Sequence, residues 1–462
     1  MLDDAKHLHF IGIGGIGVSA VARIALGRGW KVSGSDVRQS QLTDAMVELG
    51  AKVTIGQKAE NIEGADVVIV STAIPAHNPE LLAAQEQQVP ILHRSELLAH
   101  FVEETPISIG VTGTHGKGSV STMVTRVLDA GKKDPGFIIG GLLIDYGLNA
   151  RAGGGQYLVA EVDESDGSHK NVSVTHMICN FLEADHLNYY KDLDEIIEAM
   201  ADAVRNYDRL QKLYVNIDCD GNQELLRRVP EAPAVTYGTH PDATWRGELI
   251  SSSQNPVQFR AWYQGKALGD FEVPVAGRYN MINALAAMAV AHDLGVSIDD
   301  IRKGLSQSHG LENRFTILEA DGVHIVKDYN SHPTAMRKVL ANARDLADGR
   351  IFTIFKPYRY TLINYLKDEY ATAFEGSTEV LITTMYAANE DPIPGVDTAF
   401  FVNLLREQGQ NVVFLPEDTG IVPHLDKTVQ QGDIVIFFGG DDFFRLADNW
   451  AARRVASSKA GA

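Results

Sequence analysis

The stretch GVTGTHGKGSVSTM, residues 110–123, follows the apolar run PISIGV and opens a pattern placing Val120, Met123, Val124, Val127 and Leu128 on one helical face. A strand, a glycine-rich turn and a helix in that order make a phosphate-binding loop. The N–H groups of Gly113, Thr114, His115, Gly116 and Lys117 would cradle phosphate oxygens, and the Lys117 ammonium would neutralise the terminal phosphates. A lysine at a helix N-terminus opposes the helix dipole unless an anion sits there, which argues against a merely structural turn. The spacing departs twice from the strict motif: Gly110 stands one position early, and Gly118 follows the lysine, leaving Ser119 as the hydroxyl for a magnesium ion. The loop therefore predicts ATP and Mg2+ as cofactors.

Working outward, Val- and Ile-rich runs such as HLHFIGIGGIG, ADVVIVSTAIP, RIFTIFKP and GDIVIFFGG alternate with helical patterns, the mark of parallel α/β layers. At 462 residues the chain predicts about three domains. Composition changes near HFVEETP (100–106) and SQSHGLENRF (306–315) divide it into residues 1–104, 105–308 and 309–462. With 41 basic against 60 acidic residues, net −19, neither nucleic acid nor an anionic membrane is expected as a main partner. Cys179 and Cys219 make neither a zinc spacing nor a disulfide framework. The start MLDDAKHLHF lacks the pattern of a signal peptide, and no run of apolar residues is long enough to span a membrane, so a cytoplasmic protein is expected.

A second glycine cluster, HFIGIGGIGVSAVARIAL, sets Gly12, Gly14 and Gly17 at G-x-G-x-x-G spacing, with Asp36 about twenty residues on. Alone this reads as a dinucleotide site and an NAD-dependent oxidoreductase, which leaves the ATP loop unexplained. Glycines before a helix N-terminus admit any diphosphate, a UDP-sugar included.

Taken together, these segments resemble the Mur ligase family of ATP-dependent amide-forming enzymes, most closely the branch acting on UDP-N-acetylmuramate and L-alanine. GIGGIG, GSD and VVIVSTAIP are similar to its uridine-nucleotide domain, and GTHGK to its ATP loop. LNARAGGGQYLVAEVDESDGS and NFLEADHLNYY resemble its central segments, GRYNMINALAAMA its adenine segment, and DYNSHPTAM, KPYRYT and MYAANEDPIPG its C-terminal domain. The Lys-Gly-Ser of the loop is similar to folylpolyglutamate synthases. The resemblance implies three α/β domains: a Rossmann-like UDP-binding domain, a central P-loop ATPase domain and a C-terminal Rossmann-like domain for the amine acceptor. It implies partners that are a UDP-sugar nucleotide and an amino acid or amine, in a monomer or homodimer. It also assigns roles. Gly12, Gly14, Gly15, Gly17, Ser35, Asp36, Ser71 and Thr72 would meet the UDP moiety. Lys117 would meet the β and γ phosphates, Ser119 one magnesium ion, and Glu161 with His186 a second. Asn280 and Asn283, three apart on one helix face, would reach the adenine, and Arg314 and Asp328 would close over phosphates and ribose. Tyr329, Ser331, His332, Tyr358, Arg359 and Leu362 would form the acceptor pocket.

Several positions depart from the resembled branch, and they gather around the acceptor. Ser331 precedes His332 where two histidines are usual, Tyr358 replaces a histidine before Arg359, and Leu362 replaces a further arginine. Asn313–Arg314 stands for an arginine pair, and Asn188 for an aspartate. Loss of a guanidinium fork at Leu362 predicts an acceptor without the usual carboxylate, or a larger and less polar one. An amide ligase of another pathway and a catalytically silent binder of UDP-muramyl nucleotide remain as alternatives. The three charged groups Lys117, Glu161 and His186 argue for catalysis.

Overall fold

The computed structural model describes residues 2–154, 156–165, 167–252, 256–346, 349–387 and 390–461. Gly155 and Asp166 of the central segments, and Ala388 and Asn389 of MYAANEDPIPG, lie outside the described residues.

The Val/Ile-rich runs form strands buried on both faces, as in His7–Ile11, Ile351–Phe355 and Ile434–Phe438. Among the described residues they assemble into three sheets. The N-terminal sheet is parallel, in the order Lys52–Ile55, Lys31–Asp36, His7–Ile11, Val67–Val70, Ile91–His93. The central sheet has ten strands, with Ile107–Thr112 lying between His176–Cys179 and Tyr157–Glu161, all three parallel. Its far edge is the antiparallel set Trp245–Ser251, Val257–Tyr263 and Lys266–Val273. The C-terminal sheet has six strands; its core is Val323–Asp328, Ile434–Phe438, Ile351–Phe355, Glu379–Ile382 and Val412–Phe414, parallel throughout, with Thr316–Ala320 antiparallel at one edge. The fold is thus the three-part α/β architecture expected.

Helices seal the sheets. The helix Lys117–Ala130 buries Val120, Met123, Val124, Val127 and Leu128, the face predicted from spacing. It packs against Tyr279–Asp293, whose Ala-rich body is buried from Asn280 to Ala291. The joint between the first two sheets is pinned by Arg209, whose guanidinium donates to the carbonyls of Val102, Glu103, Thr105 and Pro106 at 2.7–3.4 Å. Both cysteines are buried free thiols. Among the described residues no helix is long and apolar enough to cross a membrane.

Candidate functional site

The functional side chains stand at the carboxyl ends of strands, where an open parallel sheet leaves a crevice. Asp36, Thr112, Glu161, Cys179 and Asp328 are each the last residue of a strand. The loop after Thr112 turns through Gly113 (φ 109°) and Gly116 (φ 83°), and Gly116 caps the helix that begins at Lys117. A side chain at Gly116 would place its Cβ 2.3 Å from Asn180 Nδ2 and 2.8 Å from Asn283 Oδ1, so only glycine fits that turn. Thr114 fastens the loop to the segment that follows the strand His176–Cys179, its N–H donating to Phe181 O at 2.7 Å and its hydroxyl to Glu183 O at 3.1 Å.

A cavity of about 140 Å3 opens on this loop. It is lined by Thr114, His115, Gly116, Lys117, Gly118, Ser119, Glu161 and Asn283, and from the C-terminal unit by Arg314 and Asp328. The expected nucleotide residues are therefore brought together, except Gly113 and Asn280, which stand behind the wall. Asn280 instead orients Asn283: its Oδ1 accepts from Asn283 Nδ2 at 2.9 Å while its own Nδ2 donates to Ala276 O at 2.7 Å. Asp328 is 1% exposed, and both its oxygens already accept hydrogen bonds, from Phe315 N and from Asn330. Burial raises its pKa. Phe181, Tyr279, Asn330, Ala335, Lys338 and Val339 complete the lining, none of them singled out from sequence. Lys338 and the pair Ala335 and Val339 fall at helical spacing, a signal that the sequence carries but that names no ligand.

Charge concentrates around Lys117. Its Nζ donates to Glu164 at 2.8 and 3.1 Å and to Gly113 O at 2.9 Å. Burial works against its charge, but Glu164, Asp163 and Glu161 overcome that and hold its pKa above the ordinary value. Glu164, 2% exposed, was not anticipated; burial pushes its pKa up and Lys117 pulls it below the ordinary value. His186 adopts φ 54°, unusual for a residue with a side chain, and stands 3.5 Å from Glu164 through Nε2. Asp163, Glu164 and His186 form one ligand-grade cluster; Glu161 is not a member and accepts from Gly140 N at 2.9 Å. Glu161, Asp163 and Glu164 supply oxygens of the hard kind magnesium prefers, and His186 Nδ1 is buried without a partner among the described residues, so the donor set fits Mg2+.

Two of the residues expected at the acceptor, His332 and Arg359, reach one central segment. His332, the cap of the helix Pro333–Arg344, reaches Ala184 O at 3.1 Å, and Arg359 donates to Asn188 Oδ1 at 3.0 Å. Tyr358 stacks on Tyr386 with centroids 5.8 Å apart, under the Arg359 guanidinium. Ser331 lies beside His332 and takes the Tyr370 hydroxyl on its carbonyl. Tyr329 is 54% exposed beside Arg314. Leu362 corrects the expectation: it is 6% exposed and packed in the core of the C-terminal unit, so it is a core side chain and not part of the cleft surface.

In the N-terminal unit Gly12 turns at φ 75°, Gly15 caps the helix Ile16–Gly27, and Gly14 N donates to Asp36 Oδ2 at 2.9 Å. Ser71 and Thr72 follow the strand Val67–Val70 at the same end of the sheet. Ser35 is a second correction: it is fully buried and donates to Glu80 Oε2 at 2.7 Å, which takes it out of ligand contact. Arg94 was missed. It opens the helix Arg94–Glu104, lies against Gly17 and faces Asp163 at 3.7 Å, so it joins the glycine loop to the Asp163–Glu164–His186 cluster. A cation in the first turn of a helix was the available signal, the same one used for Lys117.

Comparison with known proteins decides the family. Residues 7–105 match the Mur ligase family catalytic domain, residues 111–291 the Mur ligase middle domain, and residues 313–440 the Mur ligase glutamate ligase domain. The chain belongs to the Mur ligase family. Among its relatives, the UDP-N-acetylmuramate–L-alanine ligase of Nitrobacter winogradskyi is 36% identical over 95% of this chain and 96% of its own. That of Phenylobacterium zucineum is 37% identical over 94% and 92%. The solved UDP-N-acetylmuramate–alanine ligase of Thermotoga maritima superposes with a TM-score of 0.81 at 26% identity, over 98% of this chain and all of that one. As a Mur ligase the protein is an ATP-dependent, ADP-forming amide ligase, and the NAD reading of its N-terminal glycine cluster falls away.

Proposed function

We propose that this Mur ligase couples the lactyl carboxylate of UDP-N-acetylmuramate to the amine of an amino acid, in the cytoplasm where both nucleotides are made. The observation that carries the reading is the cavity in which the P-loop and Glu161 of the central unit face Arg314 and Asp328 of the C-terminal one, as a site completed by domain closure would have them. The donor carboxylate attacks the γ-phosphorus, the bond to the bridging oxygen breaks, and ADP leaves. The amine then attacks the acyl carbon and phosphate departs, with the amine proton released. Such chemistry asks the protein for alignment and charge neutralisation more than for covalent catalysis. Lys117, paired with Glu164 in the free site, would transfer its charge to the arriving phosphates. Bound magnesium would supply further neutralisation, held by the Ser119 hydroxyl, Glu161 and His186 beside Asp163 and Glu164. Arg94, between Gly17 and Asp163, suits the diphosphate of the donor.

The acceptor reading shifts with the structure. Leu362 lies in the core, whereas Arg359 meets the neutral amide of Asn188 and the Tyr358 ring, has a buried Nε without a partner, and has no acidic partner among the described residues. A guanidinium left unpaired at the cleft favours an acceptor that carries a carboxylate. L-Alanine, the amino acid in the relatives' names, is thus the first acceptor to test, ahead of amines without a carboxylate. The test is phosphate release with ATP, magnesium and UDP-N-acetylmuramate across amino acids and their decarboxylated amines. Turnover by an amine as good as by its amino acid would overturn the Arg359 assignment.

A further inference from the structure

Outside the magnesium cluster, a second set of metal-binding side chains stands where the central and C-terminal units meet. His115, Glu183 and His332 each present a ligand atom, and these atoms all lie within 4.8 Å of one another. His115 Nε2 is 3.2 Å from Glu183 Oε2, and the His115 and His332 rings meet edge-on with centroids 4.8 Å apart. All three are shielded: the His115 and Glu183 side chains are 13% and 31% exposed and His332 is 7%. Burial lowers the pKa of His332, and the neighbouring His115 acts in the same direction, which favours the neutral ring that a metal requires. Two contacts orient that ring: Nε2 to Ala184 O at 3.1 Å, and a longer 3.3 Å contact from Thr334 N to Nδ1. Exchanging either for a metal bond leaves the other to position the imidazole, as backbone contacts do for metal-bound histidines.

We propose that His115, Glu183 and His332 form a site for one divalent transition ion of the zinc type, bridging the P-loop to the C-terminal unit. Two imidazoles and one carboxylate make a donor set suited to zinc or cobalt, whereas magnesium seeks oxygens, so the two clusters sort ions by ligand chemistry. Because His115 and Glu183 belong to the central unit and His332 to the C-terminal one, the ion ties the closed arrangement together. The inference rests on this geometry and stands whichever amine the enzyme accepts.

The probe is Co2+, titrated into the untagged full chain without nucleotide, in excess Mg2+ to hold the oxygen-rich cluster, and followed by visible absorption. One equivalent should bind, displaced by Zn2+ and not by Mg2+. Glu183→Gln and His332→Gln should weaken binding by roughly 10-fold or more, with circular dichroism confirming that each is folded. His186→Gln, in the other cluster, should leave it unchanged. His332→Cys should keep one equivalent and add a thiolate-to-cobalt band in the near ultraviolet, a signature that a structural defect would not produce. Absence of a cobalt spectrum overturns the proposal, as does binding unaffected by both Gln variants at positions 183 and 332, or binding lost in His186→Gln and kept in His332→Gln.

Discussion

At the scale of single residues, the site depends on where no side chain fits and on which charges are already paired. Gly116→Ala would force a Cβ to 2.3 Å from Asn180 Nδ2 at φ 83°, disrupting the amide chain from Asn180 through Asn283 to Asn280. Steady-state kinetics should show the KM for ATP raised by about 10-fold or more with the KM for the UDP-sugar little changed. Asn188→Asp should act oppositely in place: a carboxylate would pair with Arg359 and compete with the acceptor. The acceptor KM is then expected to rise with the ATP KM constant, and an unaltered acceptor KM would separate Arg359 from acceptor binding. Residue by residue, legibility in the sequence was uneven. Lys117 and Gly116 were readable because a glycine turn before a helix, followed at once by a lysine that opposes the helix dipole, calls for an anion. Glu164 and Arg94 were not, since their meaning comes from partners 47 residues away in one case and in the next domain's loop in the other.

At the scale of elements, the helix Lys117–Ala130 holds the P-loop by its buried face. Leu128 is fully buried there, and Leu128→Ala should lower unfolding free energy by about 2–5 kcal/mol in a denaturant titration. The N-terminal sheet carries a buried polar cluster of another kind. Glu80, 0% exposed, accepts from His9 at 3.0 Å, Ser35 at 2.7 Å and Asn61 at 2.6 Å. Burial pushes its pKa up, but those hydrogen bonds prevail and hold it below the ordinary 4.5. A carboxylate whose folded-state pKa is depressed contributes fully above its unfolded value and loses that contribution as pH falls through the folded one. The stability gap between wild type and Glu80→Gln should therefore be constant above pH 4.5 and shrink below it; a gap independent of pH would contradict this. Strand and helix periodicity revealed the elements themselves, because burial on both faces leaves continuous apolar runs. It concealed this cluster, because nothing in the spacing of Ser35 distinguishes a buried donor to Glu80 from a ligand contact.

At the scale of the whole molecule, three sheets present their strand ends to one another, and the chemistry belongs to no single one. The order of motifs along the chain made the three-part fold legible. The packing between parts was not, because contacts such as Arg359 to Asn188 and His332 to Ala184 span more than 140 residues and join the central unit to the C-terminal one. Leu362 shows the limit: its position in KPYRYTLI suggested a pocket, and only packing reveals a core residue. The central claim is that the assembled cleft makes an amide at the expense of ATP. Its most direct test is phosphate release by the purified protein with ATP, magnesium and UDP-N-acetylmuramate, with and without L-alanine, and mass detection of the product. The account predicts release that requires both the donor and the amino acid, one phosphate per amide formed, and none with Lys117→Met. Release independent of the amino acid, or no product with any amino acid, would contradict it.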